Sequence, residues 1–317
     1  MSKICFGVDI GGTTVKIGIV STIGKIIDKW EIKTRTEDKG RHILDDIADS
    51  IENAIETRGY KKEDVIGVGL GVPGPVKEDG TVLMCVNLGW GIFNVEQALS
   101  DMLGLPVKAG NDANVAALGE QWLGGGRGHA NMVMVTLGTG VGGGIILDGK
   151  IVSGVCGAAG EIGHMNIVDE KDVIGVCGCG NRGCLEQVAS ATGVVKLANR
   201  MLSETDKESS LRSLSQVTAR DVFDAAKAGD AAAKEVVDTM AGYLGKALSC
   251  IAVIINPEIF VIGGGVSKAG EYLVDAVREK YQEKSFNAVK DTRFALATLG
   301  NDAGMAGAAR LVLSMGE

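Results

Sequence analysis

The feature that most constrains this chain is a design written twice. VDIGGTTVKIGIV (8–20) and VTLGTGVGGGIIL (135–147) each run an apolar stretch into a Gly/Thr turn and out into a second apolar stretch. β-Branched residues flanking so short a turn predict strand, tight turn, strand, because branched side chains pack well on a pleated surface and glycine accepts the turn's backbone angles. One short hairpin recurs by chance. Two that match in both arms and in the turn point to a duplicated unit, each copy with its own sheet.

The rest of the pattern fits that reading. KIIDKWEIK supplies a third strand, and VIGVGLGV (65–72) is apolar almost throughout, as a strand buried on both faces would be. Within 41–58, Ile43, Ile47, Ile51 and Ile55 recur at every fourth position, which predicts an amphipathic helix ended by Gly59. Further helices are expected at 94–104, 113–123, 190–203, 218–228, 231–255, 269–284 and 303–315, with strands at 106–109, 258–262 and 293–298. Alternation of this kind is α/β. With 317 residues, 45% hydrophobic, a single core usually gives way to two domains. The expected division is 1–112 with 301–317 returning to it, and 113–300.

A net charge of −8 gives nucleic acid or an anionic membrane no general basic face to bind. An anionic ligand must then be held locally, by amides, dipoles or a metal ion. The N-terminus MSKICFGVDIGG lacks a signal-peptide layout, and the apolar run from Ala247 to Ile255 is too short to span a bilayer. The chain reads as a soluble cytoplasmic protein, whose seven cysteines should be reduced. Cys5, Cys85, Cys156 and Cys250 each stand alone among apolar or glycine neighbours and read as small buried hydrophobes.

The turns suggest a ligand class. DIGGTT (9–14) is neither a P-loop nor a dinucleotide fingerprint, because a strand follows the glycines. Gly11, Gly12 and Thr13 can still aim backbone amides and a hydroxyl at an anion, while Asp9 can hold Mg²⁺ beside it, usually through water. Gly138, Thr139 and Gly140 repeat the turn without the acid. In IGGGV (262–266), Gly263, Gly264 and Gly265 would let a planar ring lie against bare backbone, though close strand–helix packing explains them equally well.

DIGGTT, LGTGVGGG and IGGGV stand in an order that resembles the sugar kinase, actin and Hsp70 superfamily. CGCGNRGCLE (177–186), the ExGH of Glu161 to His164, and Asn111-Asp112-Ala113-Asn114 narrow the likeness. Over essentially its whole length the chain resembles the ROK-family sugar kinases, most of all the bacterial ATP-dependent glucokinases. The resemblance implies two duplicated actin/ribonuclease-H-like domains around an interdomain cleft, MgATP as phosphoryl donor and a homodimer or tetramer. It implies sugar contacts from Asn111, Glu161, His164 and Glu186, and it makes Asp112 the base that deprotonates the 6-hydroxyl. Spacing alone reads Asp112 as the N-cap of helix 113–123.

The cysteine segment adds a metal. His164 upstream of Cys177, Cys179 and Cys184 completes a Cys₃His set, a closed coordination for structural Zn²⁺. Fixing that loop would fix Glu161 and Glu186, which flank it. Glucose is the expected sugar; N-acetylmannosamine, N-acetylglucosamine, fructose and allose are served by the same constellation in this family. A polyphosphate-using relative stays open. A sugar sensor without turnover would require loss of Asp112 or of the phosphate turns, and an actin- or chaperone-like ATPase would lack the knuckle and ExGH.

Overall fold

The structure, a computed structural model, describes residues 3–316. It divides into two compact units. One holds the chain up to Ala130, Gly144–Gly160 and the chain from Leu299; the other holds Asn131–Gly143 and Glu161–Thr298.

The first sheet is formed by β1 (Ile4–Ile10), β2 (Thr14–Ser21), β3 (Ile26–Lys33), β4 (Val65–Val72) and β5 (Val107–Asn111), in the order β3-β2-β1-β4-β5. The hairpin strands β1, β2 and β3 pair antiparallel, while β4 pairs in parallel with β1 and β5. β4 is buried at every position but Ile66, as its unbroken apolar run requires of an internal strand. β3, with a neighbour on one side only, alternates half-buried and exposed residues. The isoleucine stripe forms α1 (Ile43–Thr57), with Ile43, Ile47, Ile51 and Ile55 buried. α2 (Val95–Leu103) starts at Asn94, whose side chain accepts the Gln97 N–H, and α3 (Asp112–Leu123) follows β5 without a loop. A short two-stranded ribbon, Thr81–Val82 against Phe93–Asn94, was not expected from the pattern.

The closing helix, Ala303–Leu313, packs in this first unit because its small residues let backbone meet backbone. A Cβ on Gly69 would lie 1.7 Å from the Ala308 carbonyl oxygen, and one on Gly307 would lie 1.7 Å from that of Val115. Contact that close admits only glycine. It clamps α3 against the closing helix, so the boundary expected at 112/113 falls inside the unit and the chain leaves it only after Ala130.

The second sheet is formed by β6 (Met132–Leu137), β7 (Val141–Leu147), β8 (Lys150–Ile151), β9 (Ile259–Gly263) and β10 (Arg293–Leu296), in the order β8-β7-β6-β9-β10. β9 pairs in parallel with β6 and β10. Strand for strand this is the order of the first sheet, so the doubled hairpin heads two copies of one α/β topology. The boundary between the units crosses β7 after Gly143.

The helices here are α4 (Glu186–Ala189), α5 (Ala191–Glu204), α6 (Ala219–Lys227), α7 (Ala231–Ile255) and α8 (Glu271–Lys284). The apolar run at Ala247–Ile255 is the end of the 25-residue α7, which is long and apolar enough to cross a membrane by length and composition. It is a core helix instead, with 56% of its most apolar window buried. Two expectations about cysteine are corrected: Cys5 and Cys85 are buried, but Cys156 and Cys250 are exposed. Cys250 lies on the outer stripe of α7 with Val253 and Ile254, where helical periodicity faces it away from the core.

Candidate active site

In the first unit the sheet register brings the expected residues to one edge. β1 ends near Asp9, which pairs with Gly71 on β4, and Val72 pairs with Asn111 at the end of β5. Ligands of α/β sheets collect beyond the carboxyl ends of parallel strands. Gly71 lies between the two acids: a Cβ there would sit 3.6 Å from Asp9 Oδ1 and 3.7 Å from the Asp112 Cα. Burial pushes the Asp9 carboxyl above its ordinary range, and Lys16, directly opposite on β2, pulls it back down. The Gly11–Thr13 turn is pinned by Thr34, whose N–H donates to the Thr13 carbonyl (2.9 Å) and whose hydroxyl donates to that of Gly11 (2.7 Å). Gly12 is left facing open space.

The cap of α3 differs from the spacing-based reading. Asn111, not Asp112, is the N-cap: its Oδ1 accepts the N–H groups of Ala113 (3.0 Å) and Asn114 (3.2 Å). Its Nδ2 donates to the Gly74 carbonyl (3.2 Å) and to Asp112 Oδ1 (3.0 Å). Asp112 is therefore the first helical residue, with Oδ1 also accepting the Ala113 N–H at 2.8 Å. A carboxylate in the first turn is favoured by the helix dipole. Sequence reasoning missed Cys85, whose buried thiol donates to the Pro73 carbonyl. Burial pushes that thiol up, and the Asp112 charge adds to the shift.

The second unit assembles the knuckle. One donor atom from each of His164, Cys177, Cys179 and Cys184 lies within 4.8 Å of every other. Cys177 Sγ is 3.6 Å from His164 Nδ1, and Cys179 Sγ is 3.6 Å from Cys184 Sγ. Gly180 and Gly183 take φ of +90° and +82°, which lets the chain fold back on itself at this spacing. Burial, then its thiol neighbours, pushes Cys184 up to about 12, whereas a backbone hydrogen bond at Asn181 leads in lowering Cys179. Three thiols this close resist ionising together unless a cation joins them, and three sulfurs with one imidazole nitrogen are a set that zinc takes. The residues present fit a closed tetrahedral site.

His164 has two faces. Nδ1 turns to the thiols, and Nε2 lies 3.9 Å from Glu161 Oε2, with both side chains partly open to solvent. Glu186 differs from a simple hydroxyl acceptor. Its Oε2 accepts the Val141 N–H at 3.1 Å, and Cys177 Sγ lies 3.7 Å from its Oε1. The Gly138–Gly140 turn sits directly against it: a Cβ on Gly140 would be 2.3 Å from Glu186 Oε2.

A pocket of 580 Å³ adjoins that turn, lined in part by Ala191, Thr218, Phe223, Gly265 and Val266. Ala191 links the two, since its N–H donates to the Gly138 carbonyl at 2.8 Å. Of the three glycines at 263–265, Gly265 lines the pocket. Gly264 packs on Leu137, where a Cβ would be 2.5 Å from the carbonyl oxygen, and Gly263 faces Met134 and Ala297. Close packing accounts for Gly263 and Gly264, and Gly265 is left facing the pocket. Ala191, Thr192 and Phe223 carried no sequence signal, because they reach the site through tertiary packing.

A family model described as the ROK family matches residues 5–315. The chain is 47% identical over 312 residues to a glucokinase of Halalkalibacterium halodurans, covering 96% of this chain and 94% of that one. It is 38% identical to a glucokinase of Thermotoga maritima, with 96% of each chain covered. Among solved structures it is similar to a ROK family glucokinase from Streptomyces griseus in complex with glucose and AMPPNP, with a TM-score of 0.73 and 34% identity, covering 97% of this chain and 98% of that one.

Proposed function

The chain belongs to the ROK family, and from that premise we propose that it is an ATP-dependent glucokinase, moving the γ-phosphoryl group of MgATP to the 6-hydroxyl of glucose. The observation that carries this reading is the double orientation of His164. One ring nitrogen faces the thiols while the other faces the Glu161 carboxylate, so a hexose hydroxyl could be held by an acid and an imidazole at once. Nearly full-length similarity to proteins named glucokinase supports glucose over other hexoses.

Phosphoryl transfer asks a protein chiefly to position its reactants and neutralise charge. In the second unit, Glu161 and His164 accept and donate to sugar hydroxyls, and the free lone pairs of Glu186 join them. The 580 Å³ pocket beside Gly265 takes the nucleoside, with the phosphates over Gly138, Thr139 and Gly140. In the first unit, Gly11, Gly12 and Thr13 offer amides and a hydroxyl to the phosphates. Asn111 orients the sugar, and Asp112 accepts the 6-hydroxyl proton as the oxygen attacks in line. Asp9 would hold Mg²⁺ through water, and that ion, when bound, offsets phosphate charge. His164, Cys177, Cys179 and Cys184 would hold Zn²⁺, whose closed coordination supplies rigidity rather than reactivity.

The test is ADP release coupled to a panel of hexoses and N-acetylhexosamines, with ATP and polyphosphate as alternative donors. Glucose with ATP should give the highest kcat/KM. Glucose among the poorest substrates would overturn the named activity and leave the kinase class standing.

A further inference from the structure

The knuckle is expected to serve the sugar side, yet its C-terminal flank grips something else. Three contacts join the short segment 186–192 to the turn 138–141. Glu186 Oε2 accepts the Val141 N–H (3.1 Å), the Ala191 N–H donates to the Gly138 carbonyl (2.8 Å), and the Thr192 hydroxyl donates to that of Thr139 (3.0 Å). Gly138 closes the turn on itself by donating to the Gly140 carbonyl at 2.9 Å. Every carbonyl of the turn, from Gly138 to Gly140, is therefore occupied. Within the turn the hydrogen bonds of Gly138 and Val141 are committed, and the side of Gly138 where a Cβ would stand is open, with nothing within 4 Å.

The grip is continuous with the knuckle. Cys184 ends the Cys₃His set, the Leu185 N–H donates to the Met165 carbonyl one residue past His164 (2.9 Å), and Glu186 begins α4. Ser190 then caps α5, accepting the Gly193 N–H, which fixes the rotation at which Ala191 and Thr192 meet the turn. We infer that Glu186 and Thr192 are positioning residues of the 138–140 turn, so that the knuckle braces the nucleotide side as well as the sugar side. Acting through the turn, Thr192 sets where its amides point without touching the donor. The inference rests on the reading that this turn receives the phosphates.

Thr192 is the cleaner probe. It is exposed, so Thr192→Val keeps shape and leaves the core intact while removing the donor. Three readouts are taken on the metal-loaded protein: hydrogen exchange of the 138–141 amides, the Kd of a non-hydrolysable ATP analogue, and the KM for glucose. In Thr192→Val, exchange should quicken and the analogue's Kd rise about fivefold, the usual worth of one hydrogen bond. Glucose KM should move by less than about twofold, as expected if the bond lies on the nucleotide side. Thr192→Ser, which keeps the hydroxyl, should restore both, and Glu186→Gln should keep the Val141 amide protected where Glu186→Ala exposes it. Unchanged exchange in Thr192→Val, or glucose KM rising as much as the analogue's Kd, overturns the brace. Quickened exchange with an unmoved Kd supports the brace and overturns the assignment of the phosphates to this turn.

Discussion

The two Gly/Thr turns are copies in sequence and in sheet position, but each is furnished with acid differently. The first has its carboxylates at the sheet's edge: strand register holds Asp9 within β1, and Asp112 opens α3 directly after the paired end of β5. The second has no acid on its strands. It borrows Glu186 from 45 residues further along the chain, where that residue opens the four-residue α4. A strand end needs no staple, because the ladder on either side fixes its backbone. An acid on a single helical turn lacks that ladder, and the Cys₃His set ends at Cys184, two residues before Glu186. The contrast accounts for a Cys₃His set beside the second turn, the one such cluster among the described residues.

The largest effect should come from the first unit's acid. Asp112→Asn keeps shape but cannot accept the proton, so kcat should fall roughly a hundred- to ten-thousand-fold. Glucose binding should remain measurable by calorimetry; near-normal turnover would move the base elsewhere. Cys179→Ser attacks the staple instead. Metal analysis should find about one zinc per chain in the parent and far less in the variant, with exchange quickening around Glu161 and Glu186 but not around Asp9 and Asp112. Loosening of both sets alike would erase the distinction drawn between them.

The turns themselves give a smaller test. Gly140→Ala drives a methyl into the Glu186 carboxylate and should lower stability by about 1–3 kcal/mol. Gly12→Ala meets open space and should stay within about 0.5 kcal/mol, both read from denaturant midpoints. Equal losses would mean the turns are braced alike.

The smallest effect concerns Asp9, whose carboxyl is raised by burial against the pull of Lys16. A carboxyl whose folded pKa lies above its unfolded value is more comfortable protonated. It therefore adds relative stability below the unfolded pKa and loses it as pH rises through the folded one. Asp9→Asn should accordingly raise Tm slightly at neutral pH in nucleotide-free protein, a gain that fades as pH drops into the ordinary carboxylate range. A loss of Tm at neutral pH would show Asp9 to be a structural anchor rather than a burdened ligand group.

Much of this was legible in the chain. The isoleucines of α1, the apolar run of β4 and the doubled hairpin declare themselves because their periods span only a few residues, whereas strand order came only from the pairing of whole elements. The knuckle was legible for the same reason: three cysteines in eight positions and a histidine nearby offer few other roles. The cap of α3 was not, since Asn111 and Asp112 are both good caps and only backbone angles choose between them. Nor was the exposure of Cys156 and Cys250, which depends on the face each presents.

By itself the sequence determined the two hairpins, the Cys₃His set and the acids available, because these are local facts of spacing and residue type. Tertiary structure alone decided that one Glu186 oxygen goes to Val141, that Thr192 reaches Thr139, and that the Ala191 N–H finds the Gly138 carbonyl. Those pairings join residues 45 to 53 positions apart, as Glu186 is from Val141 and Thr192 is from Thr139. No periodicity records contacts at that range; packing of whole elements creates them.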